Sequence, residues 1–544
     1  MRKNINFLSA LVLGFAAIAC SSPEKMAEMA ENVTVKCEPA VLEVVGGEID
    51  ATVSVTYPED YFHPKAILEV TPVIVFDGGE VKMESFMFQG EKVQDNYEVV
   101  PSAGKTVTKK VNFEYAPGME NCYLELRGVV SHKKKSVDLP TKKVADGANT
   151  TYMLVCKKGK VDLKADNYQE IIKQTAEGQI LYQINSSTVR NNQLKGQSVK
   201  EYKAALDEIL ANERKTLVST DVIAYASPDG KEDQNAKLSD NRSKSAQKAY
   251  NKVVKGKNVP GEVNVTSVAE DWEGFQELVA ASDLEDKDLI IRVLSMYSDP
   301  AVREKEIKNM SAVYSSLAKN VLPELRRARF IANVEYKNYT SEELLQLIEE
   351  NIDVLDETAL LRAATLVKDN NQKLDLYKKA ADKFESAAAK YNTAVVYLNM
   401  NELKKAEAAL EGLAQDADWA NAMGVIALRN NNLDAAAEYF ALSGNATAKE
   451  NAAVIDILDG EYAAAAAKLA GVKSANAALA QLLVGNYAPA AELKCECPLA
   501  AYLRAVVAAR QGNAEAVKAN LEAASKCEKL AERAAKDIEF AQYR

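Results

Sequence analysis

VIAYASPDGKEDQNAKLSDNRSKSAQKAY, residues 222–250, decides how the middle of this chain is read. With Thr220 and Asp221 it opens as TDVIAYA, whose β-branched and aromatic residues favour a strand. Ser227, Pro228, Asp229 and Gly230 follow and are turn formers. A helix is predicted to begin near Leu238. Working outward, ILYQIN (180–185) is strand-like, VKEYKAALDEILA (199–211) has the spacing of an amphipathic helix, and RRARFIANVEY (326–336) contains a closing strand. A helical stretch, about 272–322, interrupts the pattern before that strand. The span 175–340 is therefore expected to be an α+β domain with a helical insertion.

On the amino-terminal side, 33–165 carries short runs such as IDATVSVTY, AILEVTPVIVF and CYLELRGVV, separated by Gly-Gly, Pro and Asp-Gly. They predict an all-β sandwich, antiparallel and immunoglobulin-like in general shape. Cys37 and Cys122 lie on separate predicted strands and could cross-link the sheets, with the pairing left open. On the carboxyl side, 341–544 is alanine-rich and helical. A helix–turn–helix unit recurs there, with second helices entered at Leu403, Leu433, Tyr462, Tyr487 and Ala514, the period of a helical solenoid. Small residues suit closely crossing helices. The fold class is thus multidomain: all-β sandwich, α+β domain, all-α solenoid.

The chain begins MRKNINFLSALVLGFAAIAC, with basic Arg2 and Lys3, an apolar run and a small residue before Cys20. This is the order of a signal peptide over 1–20, its apolar run shorter than the roughly 20 residues of a membrane span. Ala17-Ile18-Ala19-Cys20 resembles the lipobox of bacterial lipoproteins, which implies lipidation at Cys20; plain secretion is the alternative. Residues 21–32 read as a tether; Ser21 favours the outer membrane, and SSPEKMAEMAE, with scattered acids but no dense acidic cluster of the kind that resembles a surface-export signal, favours its periplasmic face. A net charge of -11 argues against nucleic acid, because a polyanion needs a concentrated basic face. The chain has two histidines, His63 and His132, no glycine-rich phosphate loop and no convincing metal spacing at Cys495-Glu496-Cys497. Neither catalysis nor a cofactor is expected.

Residues 222–250, with ILYQINSSTVRNNQL before and Arg326-Arg327 after, resemble the OmpA-like peptidoglycan-associated domain. Asn235, Leu238, Ser239 and Arg242 reproduce its N-x-x-L-S-x-x-R, and Gly230 stands at its loop glycine. The resemblance implies that Arg242 grips a carboxylate of the peptidoglycan stem peptide, for which a guanidinium fork is suited. Where the family carries Thr-Asp this chain has Ala226-Ser227, so Asp229 is expected to compensate for the missing carboxylate. Read locally, Ser239 would cap the helix, Asn235 would brace the loop, and Arg242 would lie in the first turn against the helix dipole, or else pair with Asp240. The carboxyl-terminal units resemble degenerate tetratricopeptide repeats, which implies an unidentified protein partner. The expectation is an outer-membrane-anchored lipoprotein gripping peptidoglycan through Ser227, Asp229, Asn235 and Arg242. The alternative is a surface-exposed adhesin or assembly factor without wall binding.

Overall fold

The computed structural model describes residues 22–544 apart from 230, 285 and 310, and apart from the side chains of 300 and 311–313. Cys20 and Gly230 lie outside the described residues, and with them the lipidation site and the loop glycine. The chain forms two compact units, one made of its two ends, up to Lys164 and from Lys390, the other of Ala165–Ala389. Among the described residues no helix is long and apolar enough to cross a membrane.

In the first unit eleven strands follow one another: β1 (Thr34–Glu38), β2 (Val41–Val45), β3 (Glu48–Tyr57), β4 (Ile67–Phe76), β5 (Gly79–Lys82), β6 (Phe86–Gly90), β7 (Glu98–Val100), β8 (Lys105–Glu114), β9 (Cys122–His132), β10 (Lys135–Asp138) and β11 (Lys142–Asn149). Alternation along β3 buries Ile49, Ala51, Val53, Val55 and Tyr57 while their neighbours face outward, the period-2 pattern of a sheet with one covered face. The sandwich expectation needs correcting in its connectivity. The strands join in a single path, β1-β3-β2-β11-β9-β4-β6-β7, with β8 on β3, β5 on β4 and β10 on β9. Two of its joins, β2–β11 and β6–β7, are parallel. The β2–β11 join needs Gly147, where a Cβ would lie 2.5 Å from that of Leu42. Cys37 on β1 and Cys122 on β9 are free thiols, and burial pushes the Cys122 thiol up to about 12.

The central unit is built on a four-stranded sheet of β12 (Ile171–Leu181), β13 (Lys215–Tyr225), β14 (Glu262–Val268) and β15 (Arg327–Lys337), in the order β12-β15-β13-β14. Helix α1 (Gln197–Ala211) leads into β13, and α2 (Glu232–Val253) is the crossover to β14, which runs parallel to β13. Val199, Tyr202, Leu206 and Ile209 of α1 and Ala246, Ala249, Tyr250 and Val253 of α2 bury their faces with Phe330 and Val222 of the sheet. Helices between α3 (Trp272–Ala280) and Leu325 form the insertion, which has its own core of Phe275, Val279, Ile290, Leu294 and Leu317.

The helices from Lys390 onward complete the first unit as a stacked array of pairs. Their first members are α4 (Ala387–Asn399), α5 (Ala417–Arg429), α6 (Ala446–Leu458), α7 (Ala475–Leu483) and α8 (Pro498–Arg510). Second helices open at Leu403, Leu433, Tyr462, Ala488 and Ala514. Asn432, Asn445, Ser474 and Asn513 cap four of the helices through their side chains. The packing explains the small residues: a Cβ on Gly424 of α5 would lie 2.5 Å from the Phe440 ring. Leu42, Leu124 and Tyr152 share one continuous core with Val425, Val454 and Tyr502, so strands and helices bury each other.

Candidate functional site

The family-like motif lies on one helix face. Asn235, Ser239 and Arg242 follow at spacings of four and three residues, which puts all three on the same side of α2. That side is buried, with exposures of 6, 1 and 1 %. Toward the carboxyl end the same face becomes apolar, through Ala246, Ala249, Tyr250 and Val253. The polar half of the stripe builds the site, and the apolar half anchors it to the sheet.

Four local expectations change. The helix begins at Glu232, not near Leu238, because Glu232 and Asp233 place negative charge in its first turn. Ser239 is therefore internal, and its hydroxyl donates to the Ala236 carbonyl at 3.0 Å instead of capping. Arg242 falls in the third turn, beyond the reach of the helix dipole. Asp240 is engaged by Lys244 at 2.8 Å.

Arg242 spends its donors on the main chain. Nε meets the Ser186 carbonyl at 2.9 Å, and the terminal nitrogens meet those of Tyr225 at 2.8 Å and Gln183 at 3.2 Å. The guanidinium also lies over the Tyr182 ring, 5.0 Å from its centroid. Burial pushes it down to about 10, still protonated at neutral pH. Among the described residues it forms no ion pair. Charge-assisted bonds of this kind contribute about 1.5–3 kcal/mol each, which offsets the cost of desolvating the cation.

Ser227, Asp229 and Asn235 come together beside it, on and against the loop from β13 to α2. The Ser227 hydroxyl donates to Asp229 Oδ1 at 2.5 Å, and Asn235 Nδ2 donates to the Ser227 carbonyl at 3.2 Å, so the asparagine braces the loop. Asp229 Oδ2 accepts from Arg326 at 3.2 Å. Asn235 also reaches Glu270 at 3.4 Å, and Lys308 of the insertion donates to the Asp229 carbonyl at 3.3 Å. Pro228 shares a small cavity with Trp272, Phe275 and Leu317, which seats the insertion on this loop. Just behind, Asp271 and Arg327 form a buried pair at 2.9 Å. Sequence reading noted Arg326 and Arg327 but missed that Arg326, not Arg242, is the cation facing Asp229.

A second built feature, in the other unit, escaped the sequence reading entirely. Residues 155–164, without helix or strand, run as a strap along the first helices of the array. Asn476 of α7 takes Cys156 by both main-chain groups, its Oδ1 accepting from N–H at 2.8 Å and its Nδ2 donating to C=O at 3.0 Å. Asn451 of α6 does the same at Lys160, with 2.8 Å at each atom, and Asn392 of α4 at Lys164, with 2.8 and 3.2 Å. Asn421 of α5 adds a bond to the Lys160 carbonyl at 3.0 Å and accepts from Asn451 at 2.8 Å. Lys164 then binds Asp416 at 2.8 Å and Asp418. Gly159 sits at φ +64°, against Val425. The signal was available: asparagine recurring at the repeat spacing inside alanine-rich helices, where its propensity is poor.

These two arrangements hold and position chain. No protein-family model matches this sequence, and no curated protein matches it, so a functional reading rests on the geometry.

Proposed function

We propose that this chain is a lipoprotein anchored to the outer membrane through Cys20 that acts as an envelope assembly factor, with a central domain that keeps an OmpA-like framework without an open wall-binding arginine. The observation that carries this reading is the enclosure of Arg242, 1 % exposed and bonded to three carbonyls of its own chain. A stem-peptide carboxylate would have to enter a site closed to solvent, and taking the donor from the Tyr225 carbonyl would leave a buried acceptor unpaired at about 1–3 kcal/mol. The strap gives the same direction to the helical array, whose asparagines are already committed, so a protein partner would dock on other surfaces.

A second reading, noncovalent binding of the peptidoglycan stem peptide, is favoured by the Asp229–Arg326 pair. Its side chains retain exposures of 18 and 13 % on the loop that the resemblance assigns to the ligand. There Asp229 would take an ammonium group and Arg326 a carboxylate. Co-sedimentation of purified protein with insoluble peptidoglycan separates the two. Assembly without wall binding requires wild type, Asp229→Ala and Arg242→Lys to remain equally in the supernatant. Sedimentation of wild type that Asp229→Ala abolishes overturns it in favour of the second reading.

A further inference from the structure

Cys495 and Cys497 take no part in either arrangement above, yet among the described residues they are set up in a way the other thiols are not. Helix α8 starts at Pro498, and Cys497 is its N-cap residue. The Cys497 main-chain N–H donates to Cys495 Sγ at 3.3 Å. Arg504, about two turns down the helix, donates to the carbonyls of Leu493 at 2.7 Å and Cys495 at 3.3 Å, which pins the loop and holds a positive charge beside the sulfur. Cys495 is exposed and Cys497 half-buried. Cys495 also stands on the wall of an open cleft of about 650 Å³, whose apolar lining is Val472, Ala478, Pro489 and Leu493, with Lys473, Glu492 and Lys494 beside them.

We propose that Cys495 and Cys497 form a thiol–disulfide exchange site whose substrate is a disulfide-bonded polypeptide with apolar side chains that occupy this cleft. Hydrogen bonds from the Cys497 thiol and main chain, with Arg504, hold the Cys495 thiol below the ordinary thiol range, while burial and its bond to Cys495 raise that of Cys497. The two thiols thus divide into attacking and resolving roles. Cys495 thiolate attacks one sulfur of the substrate disulfide, forming a mixed disulfide and expelling the other sulfur as thiolate, which takes up a proton. Cys497, deprotonated in turn, attacks Cys495 Sγ and expels the remaining substrate sulfur. The substrate disulfide is reduced to two thiols, and the protein dithiol becomes a Cys495–Cys497 disulfide.

The test uses the reduced full chain and an apolar peptide closed by one disulfide, with acid quenching and mass mapping of each cysteine. Exposed Cys156 is the internal reference. Cys495 should react about tenfold or more faster than Cys156 at pH 7 and end in the Cys495–Cys497 disulfide with reduced peptide released. Cys497→Ser should stop at a mixed disulfide on Cys495. Reaction of Cys495 at the rate of Cys156, or release of reduced peptide from Cys497→Ser as from wild type, overturns the exchange site. Equal rates with a peptide lacking apolar side chains overturn the assigned substrate class.

Discussion

The arginine cradle of the central unit and the asparagine ladder of the other unit use opposite partners for the same end. In the cradle a cation gathers three carbonyls from two separate segments, Gln183–Ser186 and Tyr225. In the ladder neutral amides take both main-chain groups of one strap at Cys156, Lys160 and Lys164. A buried charge is costly to desolvate, so the cradle works only while its three carbonyls stay in place. An amide holds a peptide group at far lower desolvation cost, so the ladder repeats along the array and spreads its hold over several helices. Removal of one group should therefore damage the two very differently.

The largest effect is expected at the cradle. Arg242→Ala leaves three carbonyls without their donor, that of buried Tyr225 among them, and a void, and should destabilise the central unit by about 3 kcal/mol or more. Its denaturant midpoint checks this, and an unchanged midpoint would mean that the arginine is dispensable to the fold. Asn451→Ala removes bonds to Lys160 and Asn421 and should cost about 2 kcal/mol, with faster hydrogen exchange at Lys160 than at Lys164. Equal exchange along the strap would show that it is released as a whole. Gly159→Ala tests the strap's shape: the left-handed backbone and a Cβ 2.8 Å from Val425 predict a loss of about 1 kcal/mol.

The smallest effect concerns His63 and His132, which meet across the β-rich region with Nδ1 atoms 3.4 Å apart. His63 Nδ1 accepts from the Lys65 N–H at 3.1 Å, and burial, with the charges of His132 and Lys65, lowers its affinity for a proton. A base whose folded value is depressed binds fewer protons folded than unfolded. Its contribution is complete above the ordinary histidine value of about 6.5 and is lost as pH falls below it. Unfolding titrations of wild type and His63→Gln should differ most at neutral pH and draw together as the pH falls below about 6.5. Parallel curves would remove the pair from the account.

What could be read from sequence was what repeats locally. The period-2 runs gave strands such as β3, and the recurring entries at Leu403, Leu433 and Tyr462 gave helices, because both patterns reflect one face buried against a neighbour. The neighbourhood of Ser227, Asp229 and Asn235 was legible for the same reason, all three lying within one turn and the start of one helix. The fate of Arg242 was not, since its acceptors at Gln183 and Ser186 stand 59 and 56 residues away. The ladder was legible on one side alone: its asparagines recur at the repeat spacing, but the strap they hold does not, and Cys156 stands 320 residues from Asn476. The parallel β2–β11 join was hidden behind Gly147, whose meaning is a close approach, not a turn.

The first unit being made of both ends of the chain has a consequence for biogenesis. Synthesis delivers the strap well before Asn392, Asn421, Asn451 and Asn476, with the whole central unit made in between. Through that interval the β-rich region has only part of its core, and its exit segment is an extended peptide with unpaired amides. The last helices to be made thus decide whether the first strands persist, so a premature stop after the central unit would forfeit the amino-terminal region as well as the missing helices.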